Sequence, residues 1–334
     1  MNLFKKIDIL AIGDIASEPY IKIKEADTEY DKEDDDWKIC LDYGGKIPYE
    51  SAQVCHAVGN SANLSIAASR LGLSTALVSY VGRDHTGKEN IRELKRENVS
   101  TKYIKKIRGL KSNYHYVLWY KEERTILVKH TEFPYSFPEK IKTPKFIYLS
   151  SLASNSLPYH HQLADYLKLH PEVSLVFQPG TLQIKLGLEA LKEIYQNTKI
   201  LICNKGEAEK ILSVTEEDVP SLVQRLHKLG PKIVVVTDGV RGSYSYDGKD
   251  VMFFDSFYDY KKTVESTGAG DAFSGGLLAA LISNKDLSEA LIWGSLNASS
   301  VVSFVGPHKG LLTKKELEER LKNIPKDLRP QKIN

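Results

Sequence analysis

The sequence predicts a doubly wound α/β fold, a mostly parallel sheet flanked by helices, with a small β lid. Three observations carry that expectation: short runs rich in Ile, Val and Leu recur along the chain, amphipathic segments separate them, and two stretches break the alternation. Continuous apolar runs suit strands buried on both faces, and strand–helix alternation suits a parallel sheet covered on both sides.

The runs are IDILAIG (7–13), TALVSYVG (75–82), KFIYLSS (145–151), VSLVFQPG (173–180), KILICN (199–204) and KIVVVTDG (232–239). Between them, SANLSIAASRLG (61–72), HHQLADYLKLH (160–170) and VPSLVQRLHKLG (219–230) repeat apolar residues at three- and four-residue spacing, the period of a helix face. YSYDGKDVMFFDS (244–256) reads as a hairpin around Asp247-Gly248. The pattern after it is helical over 271–283, 290–304 and 314–321. The two exceptions, 16–50 and 110–130, are assigned to the lid, the second as a hairpin turning at Lys121 to Arg124. The 334 residues are read as one domain, 1–334, with a polar and loose last ten residues.

Bulk properties narrow the function classes. A hydrophobic content of 42%, a charged content of 27% and a formal net charge of +3 are ordinary for a globular protein and argue against a nucleic-acid or membrane partner. Cys40, Cys55 and Cys203 form no C-x-x-C pair, which speaks against a disulfide framework and a structural zinc site. No segment approaches the length of a membrane span, and the N-terminal apolar run is too short for a signal sequence, so a cytoplasmic protein is expected. The acidic run EYDKEDDDW (29–37) lacks the glycine and glutamate positions of an EF-hand loop and reads as solvated.

Chemistry concentrates in ESTGAGDAFSGGLLAALI (265–282). Gly268, Ala269 and Gly270 let backbone N–H groups turn inward at the first turn of a helix, where unpaired amides and the macrodipole attract an anion. A carboxylate there would repel phosphate, so Asp271 needs a separate task, and accepting the proton of an attacking hydroxyl is such a task. The alternative is a capped helix start with Asp271 complementing the dipole. A second glycine-bearing loop, Gly82 to Lys88, nearly spells a Walker A motif, but Glu89 replaces the Mg²⁺-binding hydroxyl, so it reads as a strand-to-helix turn.

The order of four motifs decides between these readings. ESTGAGD resembles the second signature, D-T-x-G-A-G-D, of the ribokinase-like, or PfkB, family of carbohydrate kinases. Gly59 with Asn63, in VGNSAN, resembles the first, G-G-x-x-x-N. Asn204 to Glu207 matches the family's N-x-x-E, and Val236-Thr237-Asp238-Gly239 with Gly242 matches V-T-x-G-x-x-G. The resemblance implies a ribokinase-like fold using ATP and Mg²⁺, with Asp271 as general base and Gly268, Ala269 and Gly270 as anion hole. It implies acceptor contacts from Asn63 and Gly59, nucleotide contacts from Asn204, Thr237, Gly239 and Gly242, and a metal role for Glu207. Asn297 is placed at the border of an adenine pocket or inside a packed helix. Glu18 and Asp14 are the candidate acceptor-side carboxylates: Glu18 stands, one methylene longer, where the family often has an Asp, with no acceptor contact as its alternative, and Asp14 has a structural role as its alternative. Two departures are visible. Val58 replaces the first glycine of the lid hinge, and Glu265 replaces the Asp of a monovalent-cation site, which leaves that cation open.

The expected activity is transfer of the γ-phosphoryl of ATP to a hydroxymethyl group of a small-molecule sugar or nucleoside. The strand end FQPGTLQ is closer to the N-P-G pattern of ribose and nucleoside kinases than to D-P-N-x-R. A fructokinase-like enzyme, a vitamin-kinase relative and a non-catalytic sugar or nucleotide sensor are the alternatives. Exposed lid strands make a homodimer through the lid an expectation as well.

Overall fold

The computed structural model describes residues 6–31, 36–121, 123–256, 266–325 and 328–333. Glu265, and Asp34 and Asp35 of the acidic run, lie outside them. The main sheet has ten strands among the described residues, in the spatial order Gln331–Ile333, Val251–Phe254, Ser243–Tyr246, Ile233–Thr237, Thr198–Asn204, Ser174–Phe177, Phe146–Leu149, Ile9–Ile12, Thr75–Gly82, Ser100–Ile107. From Ile233–Thr237 to Ser100–Ile107 every pairing is parallel. The first three strands pair antiparallel, as the hairpin around Asp247-Gly248 requires.

Alternation along each parallel strand feeds two cores. Ile9 and Ala11 face helices Asn60–Arg70, Ala269–Ile282 and Leu287–Val301, whereas Leu10 and Ile12 join the core built with Leu157–Leu169 and Val219–His227. Period-two alternation in a doubly covered sheet produces this division, and it explains why the strands read as unbroken apolar runs. The helices begin where the sequence supplies caps: Asp84, Asp218, Asp286 and Thr313 each accept a first-turn N–H.

Two strands escaped the sequence reading. Ser100–Ile107 is an edge strand with lysines interrupting its apolar positions, so it lacks the continuous signal of a buried strand. Gln331–Ile333, in the tail read as loose, pairs with Val251–Phe254 through backbone groups that polar side chains do not advertise.

A second, five-stranded sheet stands at one side. Ala16–Ile23 pairs antiparallel with Tyr49–Val58 and parallel with Asn113–Tyr114 and Tyr116–Tyr120, and Glu123–Leu127 closes the hairpin back onto Tyr116–Tyr120. Its first partner strand runs to Val58, eight residues beyond the boundary drawn from sequence at 50. The acidic stretch contributes a separate exposed ribbon, Asp27–Asp31 with Asp36–Cys40. Where the small sheet meets the main body, Ala57 holds φ at 56° and Gly59 at 120°. A non-glycine residue in that region is strained, and here the Ala57 N–H is fixed by the Asn90 side chain at 2.9 Å.

The near-Walker loop is scaffold. Asp84 fills it, accepting from Gly87 N–H at 2.8 Å and from the Ser112 N–H and hydroxyl. A Cβ on Gly82 would sit 2.4 Å from the Leu110 carbonyl, so no space for a phosphate exists there.

Candidate active site

The C-terminal ends of the parallel strands meet at one edge, the position where open α/β sheets bind ligands. Gly13 and Asp14 follow Ile9–Ile12, Ser151 follows Phe146–Leu149, Gln178 follows Ser174–Phe177, and Asn204 and Thr237 are register partners ending their strands. Onto this edge helix Ala269–Ile282 presents its first turn. Gly268 caps it with φ 78°, a conformation that suits glycine, and a Cβ there would meet Pro307 at 2.5 Å. A Cβ on Gly270 would meet nothing within 4 Å, so the turn opens to free space. Ala272 N–H returns to Gly268 O at 2.8 Å, leaving Gly270 and Asp271 among the first-turn donors with no acceptor inside the helix.

Asp271 is buried, 5% exposed, and held by three side-chain amides. Asn60 donates to Oδ1 at 2.9 Å, Gln178 to Oδ1 at 3.0 Å and Asn63 to Oδ2 at 2.8 Å. Each amide is oriented in turn by a donor on its oxygen: Ser151 hydroxyl to Asn60 Oδ1 at 3.0 Å, Ser274 hydroxyl to Gln178 Oε1 at 2.6 Å, and His308 Nε2 to Asn63 Oδ1 at 2.9 Å. Because Asn63 gives its N–H to the carboxylate, its oxygen must accept, so His308 is the tautomer protonated on Nε2. Burial pushes the His308 pKa down to about 4, with Arg70 adding to the effect, which keeps the ring neutral. Burial raises the Asp271 pKa, the three amides pull it back, and the charge of Glu18 pushes it further up.

Two more buried carboxylates, Glu18 and Asp14, lie near this edge. Glu18, on the small sheet, accepts from Tyr20 hydroxyl and from His115 Nδ1, both at 3.2 Å. Asp14 accepts at Oδ2 from Tyr135 hydroxyl at 2.6 Å and Ala153 N–H at 3.1 Å, while its buried Oδ1 has no hydrogen-bond partner. Desolvation raises Asp14 to about 7 against the Tyr135 and Ala153 hydrogen bonds. Gly59 supplies close approach, since a Cβ there would lie 2.6 Å from the Asp14 carbonyl. The small sheet also touches the helix-start loop directly: Arg124 donates to Ser266 Oγ at 2.7 Å.

Farther along the edge, Asn204 and Glu207 form a capping box, Asn204 Oδ1 accepting Glu207 N–H at 2.8 Å and Glu207 Oε2 accepting Asn204 N–H at 2.9 Å. The Glu207 pKa is raised by burial, with the charge of Asp271 contributing, so the two carboxylates sense one another. Among the described residues no group of three His, Cys, Asp or Glu side chains converges as a metal cluster. Glu207 places one carboxylate at this edge, and Mg²⁺ is a cation held by one or two carboxylates together with water and phosphate oxygens. Gly239, with φ 56°, faces open space, whereas Gly242, with φ 97°, is pressed onto the Phe254 carbonyl and serves the turn itself.

One expected contact is not brought to the edge. Asn297 has no exposed surface, and its amide is spent on Ala272 O at 2.8 Å and Leu312 N–H at 3.0 Å. It ties helix Leu287–Val301 to its neighbours; the packed-helix alternative describes it, and the adenine-pocket placement is corrected. Conversely, the sequence reading passed over Asn60, Gln178, Ser151, Ser274 and His308. Asn60 lies inside the VGNSAN motif and Gln178 inside FQPG, so both were in view without a role. His308 reaches Asn63 across 245 residues of chain, and no local pattern marks such a contact.

Known proteins agree with this architecture. The model of the pfkB family carbohydrate kinases matches residues 27–314. An uncharacterized sugar kinase of Archaeoglobus fulgidus is 29% identical over 249 residues, covering 73% of this chain and 97% of the relative. An ATP-dependent 6-phosphofructokinase of Thermoanaerobacterium thermosaccharolyticum is 24% identical over 315 residues, 90% of each chain. Arabidopsis thaliana ribokinase, solved with ribose and ATP, superposes with a TM-score of 0.77 at 20% identity over 95% of this chain and 99% of that one, a likeness of fold. Among the described residues no helix is long and apolar enough to cross a membrane.

Proposed function

Since the chain belongs to the pfkB family of carbohydrate kinases, we propose that it moves the γ-phosphoryl of ATP to a hydroxymethyl group of a sugar or nucleoside, with ribose-type acceptors favoured by the FQPG strand end. The observation that carries the reading is the Asp271 clamp, an ionisable carboxylate oriented by three amides beside an open helix N-terminus. A binding protein needs no base there, which disfavours the sensor alternative.

In this reading Asp271 takes the proton from the acceptor hydroxyl as its oxygen bonds to the γ-phosphorus, and the bond from that phosphorus to the β–γ bridging oxygen breaks to release ADP. The N–H groups at Gly268 and Gly270 bear on the charge that develops on the transferring group, whereas the Ala269 N–H is engaged by Ser266 O at 3.3 Å. Glu207, through water, is the residue to hold Mg²⁺, which supplies charge neutralisation of the phosphates when bound. Thr237, Gly239 and Asn204 line the nucleotide side, and Gly242 shapes the turn that carries them. The chain acts as one kinase domain, with the small sheet as the lid that excludes water from the transfer.

An acceptor panel of ribose, fructose, adenosine, inosine and cytidine with ATP and Mg²⁺ tests this. Acceptor-dependent ADP release is expected for the wild type, and Asp271→Asn is expected to lower kcat by about 1,000-fold, within the range of general-base contributions. Equal turnover by the variant would remove Asp271 from the role of base.

A further inference from the structure

The three amides around Asp271 are not equivalent, because their orienting partners differ. Asn60 and Gln178 are oriented by hydroxyls, Ser151 at 3.0 Å and Ser274 at 2.6 Å. A hydroxyl both donates and accepts, so either amide can turn over while its serine rotates to follow. Ser274 has a second acceptor in reach, Gly270 O at 2.9 Å. Asn63 faces an imidazole instead, with His308 Nε2 at 2.9 Å from its Oδ1. A neutral ring protonated on Nε2 offers no acceptor there, so turning the Asn63 amide over would set N–H against N–H. The backbone holds the ring in place: Arg70 donates to the His308 carbonyl at 2.7 Å, and a Cβ on Gly268 would meet the preceding residue, Pro307, at 2.5 Å.

The carboxylate is filled just as unevenly. It offers about four lone-pair sites, shared equally by its oxygens. Oδ1 accepts from both Asn60 and Gln178, whereas among the described residues Oδ2 accepts a side-chain hydrogen bond from Asn63 alone. The open site is on Oδ2. We infer that Oδ2 is the oxygen that takes the acceptor proton and that His308 is its positioning residue, holding Asn63 as a donor to that oxygen. The inference rests on Asp271 as general base, the reading above, and adds the atom that reacts and the side chain that governs it. In the step the acceptor O–H breaks, its proton bonds to Oδ2, and the freed electron pair on the acceptor oxygen forms the bond to the γ-phosphorus. An N–H directed at Oδ2 favours the charged form, whereas an amide turned to present its oxygen would accept from Oδ2–H and hold the protonated form. His308 thus keeps the base from trapping the proton it has taken. The charges of Arg70, Glu97 and Arg96 are felt at His308, those of Glu18 and Glu207 bear on Asp271, and the Tyr148 hydroxyl senses Asp271; a substitution at His308 leaves all of these groups in place.

The experiment titrates Asp271 directly. Carboxyl NMR on isotopically labelled aspartate, the Asp271 signal being the one missing in Asp271→Asn, is recorded for the wild type, His308→Leu and His308→Gln, alongside steady-state kinetics. Leucine leaves Asn63 free to turn and is expected to raise the Asp271 pKa by about one unit, the scale of one hydrogen bond to a charged group, and to lower kcat by about tenfold with little change in the acceptor KM. Glutamine carries an N–H in place of Nε2–H and is expected to restore both. A crystal structure of the wild type with the best acceptor of the panel, Mg²⁺ and a non-hydrolysable ATP analogue is expected to seat the acceptor hydroxyl within hydrogen-bond reach of Oδ2. That structure needs no variant, so it tests the assignment even where leucine prevents folding. An unmoved Asp271 titration in His308→Leu, a glutamine variant as impaired as the leucine one, or a hydroxyl seated on Oδ1 overturns the inference while leaving Asp271 as the base. Undiminished turnover by Asp271→Asn overturns the base reading, and the inference falls with it.

Discussion

At Asp271 burial and hydrogen bonding pull the carboxyl in opposite directions. In the proposed role of general base the active form is the ionised carboxylate, and its pKa lies above the ordinary Asp value because burial outweighs the three amide donors. Activity must therefore fall as pH drops through that raised value. Removing a donor tips the balance further: Asn63→Leu or Gln178→Leu is expected to move the acid limb of kcat/KM to higher pH by about one unit, the scale of one hydrogen bond to a charged group. A pH–rate profile with an unmoved limb would show that the amides do not tune the base. The residues differ in how far the sequence revealed them. Asp271 and Asn63 sit in compact signatures whose spacing encodes the helix start. His308, Ser274 and Ser151 act on the amides from remote chain positions, and their contacts arise from packing that no local spacing records.

Between elements, glycines set the distance on which the clamp depends. A Cβ on Gly275 would lie 2.6 Å from Ala67 Cβ, and one on Gly276 would lie 2.5 Å from the Trp293 carbonyl. Helix Ala269–Ile282 therefore packs backbone-close against Asn60–Arg70, which carries Asn60 and Asn63, and against Leu287–Val301. Gly275→Ala must push the first pair apart. It is expected to cost about 1–3 kcal/mol of stability, the usual penalty of overpacking, and to lower kcat more than it raises the acceptor KM. Thermal melts and steady-state kinetics on the same preparation check both parts. This packing was half legible: SGGLLAAL showed small residues within a helix, but their partner helices become visible only with the sheet topology in place.

Across the whole molecule, the central sheet was readable because both its faces are buried, and continuous apolar runs record that burial. The small sheet was located by its failure to fit, although its longest strand, Tyr49–Val58, is mostly exposed and gave no boundary. Global stability carries the cost of burying Asp14. Asp14 has its pKa raised from 3.8 to about 7, so between these values the folded chain keeps a proton that the unfolded chain has released. Stability is then lost as pH rises through this window and the full cost is present above it. Relative to Asp14→Asn, the wild type is expected to lose about 3 kcal/mol of unfolding free energy between pH 5 and pH 8, at about 1.4 kcal/mol per unit. Urea denaturation at the two pH values measures the difference, and parallel behaviour of the two proteins would refute it.

The donors that grip Asp271 are all amides, and their own orienting partners are two hydroxyls and a neutral imidazole. The carboxylate is thus positioned without any formal positive charge in the clamp. Mobile ions screen charge pairs over a Debye length of about 10 Å at 0.1 M salt, but short dipolar contacts in a buried pocket present little for them to screen. If Asp271 is the base, salt reaches it only through the charges of Glu18 and Glu207, so the acid limb should move little from dilute buffer to molar salt, even where nucleotide affinity weakens.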